Sequence, residues 1–237
     1  MQDDGGQAYM TVIENKNART DIRVAVPVIL TAVAVLCALF ASDGRKYAVI
    51  TVIATLLSLL LFLAGFDKRR IGSRRLVLGA VFITLAVAGR FIPQIKPLTA
   101  VVIISGMFTG AETGFLVGAV SVLISNIFFG NGPWTPLQMT AMGLIGFFGG
   151  MLSKPLKKSK IILALFGVGC GIFYSMFMDI WTTCSATGSL QFSAYLNSVV
   201  AAIPFTIIYS VSNVIYLLLL TPPFQRKLDR IAEKYGL

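Results

Sequence analysis

The chain has 237 residues, 56% of them hydrophobic and only 13% charged, with a formal net charge of +10 and no histidine. Soluble domains carry about a quarter charged residues, and one of this length cannot hide so much apolar surface, so the composition points to an integral membrane protein. The apolar stretches are long and nearly continuous, which excludes an outer-membrane barrel, and the basic residues cluster beside them, which makes topology and not nucleic acid the use of the positive charge.

The first 23 residues are polar and hold Asp3, Asp4, Glu14 and Asp21. A signal peptide has a short basic start and a short apolar run, so the apolar run that begins near Val24 reads as a retained helix. The spans predicted along the chain are about 24–41, 47–65, 75–90, 97–110, 113–129, 138–152, 161–180 and 195–220. The third, fourth and sixth are short against the roughly 20 residues of a perpendicular span, which suggests helices broken around a cavity. Hydropathy alone leaves seven to nine spans open. With the N-terminus placed in the cytoplasm, every one of the 20 basic residues falls inside except Arg45, Lys46, Arg90 and Lys96. Eight spans with both termini cytoplasmic is the solution that satisfies this bias.

The basic run FDKRRIGSRR (66–75) separates two plain Val/Leu/Ile/Ala spans from a later region richer in Gly, Pro, Asn, Met and aromatics. The predicted organisation is a cytoplasmic segment 1–23, an accessory hairpin 24–65, a basic linker 66–74, a six-helix core 75–222 and a cytoplasmic tail 223–237 that forms a short helix. The fold class is thus an all-α polytopic membrane protein.

Chemistry is sparse. Without histidine the commonest general base and metal ligand are missing, and no acid pair has metal or acid–base spacing. There is no GxxxxGK[ST] loop for ATP. We therefore assign no catalytic residue, no metal and no catalytic cofactor. Near membrane depth the core holds only Glu112, read as an inner turn residue or a functional acid, and Asp179, read as a span-end residue or a ligand contact; neither makes a strong ion relay. Three cysteines are too few for a disulfide scaffold: Cys37 and Cys170 fall in apolar runs, and Cys184 reads as a loop residue.

Small residues recur every four positions at Ala80, Thr84 and Ala88, at Gly114 and Gly118, and at Gly146 and Gly150. Such stripes let helices approach closely in lipid, either within this chain or against a separate membrane subunit, with the first core helix the best candidate for the latter. The predicted outer ends are RFIPQIKP (90–97), SNIFFGNGPWTPLQM (125–139) and DIWTTCSATGSLQFSAYLN (179–197). They are rich in aromatics, amides and hydroxyls and poor in charge, which suits a mostly neutral, partly aromatic ligand or, alternatively, an interfacial aromatic belt. Pro133 and Pro136 stiffen the loop around Trp134, which favours a ligand role for it.

The run KPLTAVVIISGMFTGAETGFLVGAVSVLISNIFFGNGPWTPLQMTAMGLIGFFGGML (96–152), with FGNGPWTPLQM (129–139) its most specific motif, resembles the substrate-binding S components of energy-coupling factor (ECF) vitamin transporters; the resembling region covers about 75–222. The resemblance implies a six-helix S-component-like core in a bacterial cytoplasmic membrane, capturing a vitamin or vitamin precursor from outside. It implies delivery through a coupling membrane subunit and two ATPase subunits that bind the ATP, with no nucleic-acid partner. The hairpin 24–65 departs from the six-helix pattern. Ala80, Thr84 and Ala88 match the stripe that contacts the coupling subunit, with Thr84 a mild departure. The WTPxQM-type loop is most similar to cobalamin-transporting members. The candidate ligand contacts are Arg90, Phe91, Lys96, Asn126, Phe129, Asn131, Trp134, Thr135, Gln138, Met139, Tyr174, Asp179, Trp181, Tyr195 and Asn197. An anionic vitamin would want converging cations, of which only Arg90 and Lys96 are available. An autonomous secondary carrier is the alternative reading.

Overall fold

The computed structural model describes residues 73–235 except Gln94, Pro133, Gly188 and Ser189. The N-terminal segment, the hairpin 24–65 and the linker up to residue 72 lie outside the described residues. Seven helices and no strand occur among the described residues: α1 (Ser73–Arg90), α2 (Leu98–Thr109), α3 (Ala111–Phe129), α4 (Thr135–Met151), the short α5 (Ser153–Lys158), α6 (Lys160–Thr187) and α7 (Phe192–Tyr235).

The centre of the bundle is α2. Its twelve residues contain no charge, and Leu98, every residue from Ala100 to Met107, and Thr109 are buried. A helix apolar on every side has to be surrounded, and α2 packs against α1, α3, α4 and α7. Its two buried hydroxyls bond back into the helix, Ser105 to the Val102 carbonyl at 2.7 Å and Thr109 to the Ser105 carbonyl at 2.6 Å, so they enter the core without an unpaired donor. The single residue Gly110 joins α2 to α3 at φ 105°, a value that a side chain would strain.

The tightest seam lies between α3 and α4, with α2 against it. A Cβ on Gly114 or on Gly106 would strike the Gly146 carbonyl oxygen, and one on Gly118 would strike the Met142 carbonyl oxygen. The backbones therefore touch, and the closeness of approach, with its gain in dispersion contacts, replaces the hydrophobic drive that lipid does not supply. Both predicted glycine pairs serve packing inside the chain. The Ala80/Thr84/Ala88 stripe does not: all three residues are exposed on α1, which packs instead through Phe82, Ala86 and Gly89.

Among the described residues, three helices are long and apolar enough to cross a membrane: Ala111–Phe129, Lys160–Thr187 and Phe192–Leu228. This is fewer than the eight spans read from the sequence. The first two lie outside the described residues, and those at 75–90, 97–110 and 138–152 correspond to α1, α2 and α4, of 18, 12 and 17 residues. The apolar helices Val77–Arg90 and Leu98–Thr109 are short of a full span; α2 is sheltered within the bundle, whereas α1 leaves one face exposed.

Two boundaries differ from the sequence reading. α6 continues to Thr187, which puts Cys184 on a helix, where it is buried, and not in a loop. The threonines after Trp181 sustain that helix by bonding to carbonyls one turn back, Thr183 to Asp179 at 2.8 Å and Thr187 to Thr183 at 2.9 Å. The tail is no separate helix either: α7 runs unbroken through Pro222 and Pro223 to Tyr235. Phe224 stacks on Phe82 at 5.6 Å and holds that part of α7 against α1.

Candidate ligand-binding site

Four helix ends meet at the end of the bundle opposite α5. α1 ends there in Arg90, α2 begins just after Lys96, α3 ends in Asn126 to Phe129, and α4 begins with Thr135 to Gln138. The flanks are supplied by α6 and α7. Between them lies a cavity of about 90 Å³, lined by Arg90, Lys96, Leu98, Thr99, Val122, Gln138, Met142, Tyr174, Tyr209, Ser212 and Asn213.

A directed hydrogen-bond chain forms one wall. The Arg90 guanidinium donates from Nη1 to Ser125 Oγ at 2.6 Å and to Asn126 Oδ1 at 2.5 Å. Arginine can only donate, so Asn126 must turn its oxygen toward it and its amide nitrogen away. That nitrogen donates to Gln138 Oε1 at 3.0 Å and Thr135 Oγ1 at 3.1 Å. The amide of Gln138 is thereby oriented in turn, and its Nε2 donates to the Tyr174 hydroxyl at 2.7 Å. Asn126 is fully buried, with both amide donors and its oxygen engaged. Removing such a hub would leave several buried groups unpaired, at about 1–3 kcal/mol each.

Thr135 also ties the loop before α4. Its hydroxyl accepts from the Gly132 amide at 3.1 Å and donates to Asn131 Oδ1 at 3.4 Å, and its own amide donates to the Gly132 carbonyl at 2.9 Å. The loop is thus anchored by its α4 end, while Asn131 and Trp134 remain exposed above it.

Over the cavity sits an aromatic cluster. Phe129 lies under both cations, 5.0 Å from the Arg90 guanidinium carbon and 5.7 Å from Lys96 Nζ. Phe91 packs on Phe129 at 5.0 Å and on Phe128 at 5.5 Å. Opposite, Tyr174 meets Tyr209 edge-on at 5.5 Å. α7 is tied to the start of α2 by Ser212, whose hydroxyl donates to the Lys96 carbonyl at 3.2 Å, and to α6 by Asn213, whose amide donates to the Gly167 carbonyl at 3.0 Å.

Of the candidate contacts, Arg90, Lys96, Gln138 and Tyr174 line the cavity, Asn126 and Thr135 form the layer behind them, Phe129 packs against the two lining cations with Phe91 upon it, and Asn131 and Trp134 are exposed in the loop before α4. The others are elsewhere. Met139 is buried in the core, one residue round α4 from the cavity-facing Gln138. Trp181 packs beside Leu137, Ala141 and Phe177. Tyr195 donates to the Met176 carbonyl at 3.1 Å, and Asn197 is exposed on α7. Asp179 is buried and outside the cavity lining, and its Oδ2 has no hydrogen-bond partner among the described residues.

Sequence reasoning missed Thr99, Met142, Tyr209, Ser212 and Asn213. The last three share the stretch YSVSN (209–213), and that polar cluster inside an apolar span was the available signal.

A family model described as a family of unknown function, DUF6580, matches residues 69–226. No curated protein and no solved structure matches the chain.

Proposed function

We propose that this chain, which belongs to the DUF6580 family, is a membrane-embedded binding subunit that captures a small organic solute at the Arg90–Tyr174 end of its bundle. The observation that carries the reading is the cavity itself. Helices distant in sequence converge on it, and a directed polar chain preorganises its wall, where plain packing would have filled the space with apolar side chains.

The cavity end would face outward. The opposite end carries Lys154, Lys157, Lys158 and Lys160 around α5, with Arg226, Lys227 and Arg230 near the end of α7, and this basic bias favours the cytoplasm. The S-component resemblance fits a protein that binds and does not catalyse, in which the exposed Ala80/Thr84/Ala88 stripe meets a coupling membrane subunit and two ATPases supply the energy. As for the ligand, about 90 Å³ suits a small vitamin or precursor better than cobalamin, which would require the cavity to open many-fold.

Identification by mass spectrometry of the molecule that co-purifies with the protein tests the reading directly. A vitamin-like solute released on denaturation supports it, and a protein that carries and binds no small molecule defeats it. The buried Asp179 carboxylate favours a second reading, an autonomous ion-coupled carrier. Uptake against a gradient by proteoliposomes containing this chain alone would establish that reading and remove the need for partner ATPases.

A further inference from the structure

We infer that the solute enters the cavity by an acidic group, a carboxylate held jointly by Arg90, Lys96 and the Tyr174 hydroxyl. The inference rests on the solute-capture reading and specifies the ligand's charge, which the uncharged loop 125–139 had suggested to be neutral.

Three observations lead to it. First, the described lining holds two cations and no carboxylate. Asp179, the buried acid on α6, lies outside that lining, and Glu112 belongs to the first turn of α3, at the opposite end. Second, the hydrogen-bond chain has a direction. Arg90 donates to Asn126, Asn126 to Gln138 and Gln138 to Tyr174, so the Tyr174 oxygen is already an acceptor and its own proton has no acceptor among the described residues. A phenol beside a cavity with its proton unspent is a donor aimed at an acceptor. Third, the bonds drawn from Arg90 use Nη1 alone, so its remaining N–H groups stay available for a planar, two-oxygen partner. Arg90, Lys96 and Tyr174 therefore offer donors here, two of them charged.

Phe129 completes the account. Its ring face lies near both Arg90 and Lys96. A ring face is weakly negative and partly satisfies a cation such as the half-buried Arg90 guanidinium, and a carboxylate would do so more strongly. Phe129 is half exposed at the end of α3, immediately before Gly130 at φ 96°, so it can move aside as the acid arrives and then cover the rest of the molecule.

The test uses matched pairs of an acid and its neutral amide or alcohol: nicotinate against nicotinamide, biotin against biotinamide, and pantothenate against panthenol. Binding is measured on the full chain in zwitterionic lipid nanodiscs, for the wild type, Lys96→Gln and Tyr174→Phe. Lys96 is exposed and Tyr174→Phe keeps the ring, so both variants should fold. For at least one pair the acid should bind at least tenfold tighter than its neutral partner, about 1.4 kcal/mol, and each variant should weaken the acid at least about tenfold and its neutral partner by clearly less. Equal binding of acid and neutral partner would overturn the inference and leave solute capture standing. Stabilisation by phosphatidylglycerol nanodiscs but by none of the acids would overturn it in favour of a lipid headgroup. No binding of either member of any pair would defeat both the inference and the solute-capture reading.

Discussion

Two stripes of small residues with the same four-residue spacing meet opposite fates in this bundle. Gly114 and Gly118 on α3, with Gly146 and Gly150 on α4, bring backbones into contact inside the chain. Ala80, Thr84 and Ala88 on α1 are exposed, and among the described residues Thr84 donates only to the Ala80 carbonyl of its own helix, at 2.9 Å. Spacing alone marks a surface fit for close approach. It does not say whether the approaching helix belongs to the same chain, and the glycines, which admit backbone where alanine admits only a side chain, are the ones used internally.

The sharpest way to break that comparison is Gly146→Leu. Its Cβ would meet the Gly114 carbonyl, and backbone on both sides cannot yield as a side chain could. The expected cost is about 3 kcal/mol or more, read as loss of folded protein by size-exclusion chromatography. If the variant keeps wild-type stability, the α3–α4 seam is looser than described.

Asn126→Ala tests the polar end of the same seam. It strips Arg90, Thr135 and Gln138 of a shared partner, so stability should fall by roughly 1–3 kcal/mol and ligand binding should fall with it. Gln138→Ala should weaken binding with a smaller loss of stability, because Gln138 engages fewer partners.

Ala80→Leu inverts the pattern. On an exposed helix face its effect on thermal stability should stay within about 0.5 kcal/mol. Its effect should appear instead in the yield of complex with a co-expressed coupling subunit, and an undiminished yield would remove the assigned role of the α1 stripe. The smallest effect is expected of Trp134→Ala: an exposed ring in the loop before α4 should change affinity a few-fold, with assembly and folding unaffected. A titration calorimetry series over the binding variants orders these effects.

Much of the bundle could be read from hydropathy. The six predicted core spans correspond to α1, α2, α3, α4, α6 and α7, because an uncharged run such as LTAVVIISGMFT has no alternative to burial. The loop 125–139 was legible as a site because its amides and aromatics interrupt apolar runs, and Asn126, Thr135 and Gln138 do form the wall behind and beside the cavity. Its lack of charge suggested a neutral ligand, whereas the two cations in the cavity lining come from the end of α1 and the segment before α2. Met139 looked equivalent to Gln138 as its neighbour in the motif, but adjacent residues on a helix point about 100° apart, and it joined the core.

Sequence by itself determined that the chain is helical and apolar, where its helices run and which end collects polar groups, because these follow from local hydropathy and the position of charge. Tertiary structure alone decided which glycine stripe closes inward, that Tyr209, Ser212 and Asn213 complete the cavity, and that Arg90 and Lys96 share one aromatic ring. Those outcomes depend on how far one helix is rotated and shifted against another, and a one-residue change in that register swaps the side chain that faces the cavity for one that faces the core.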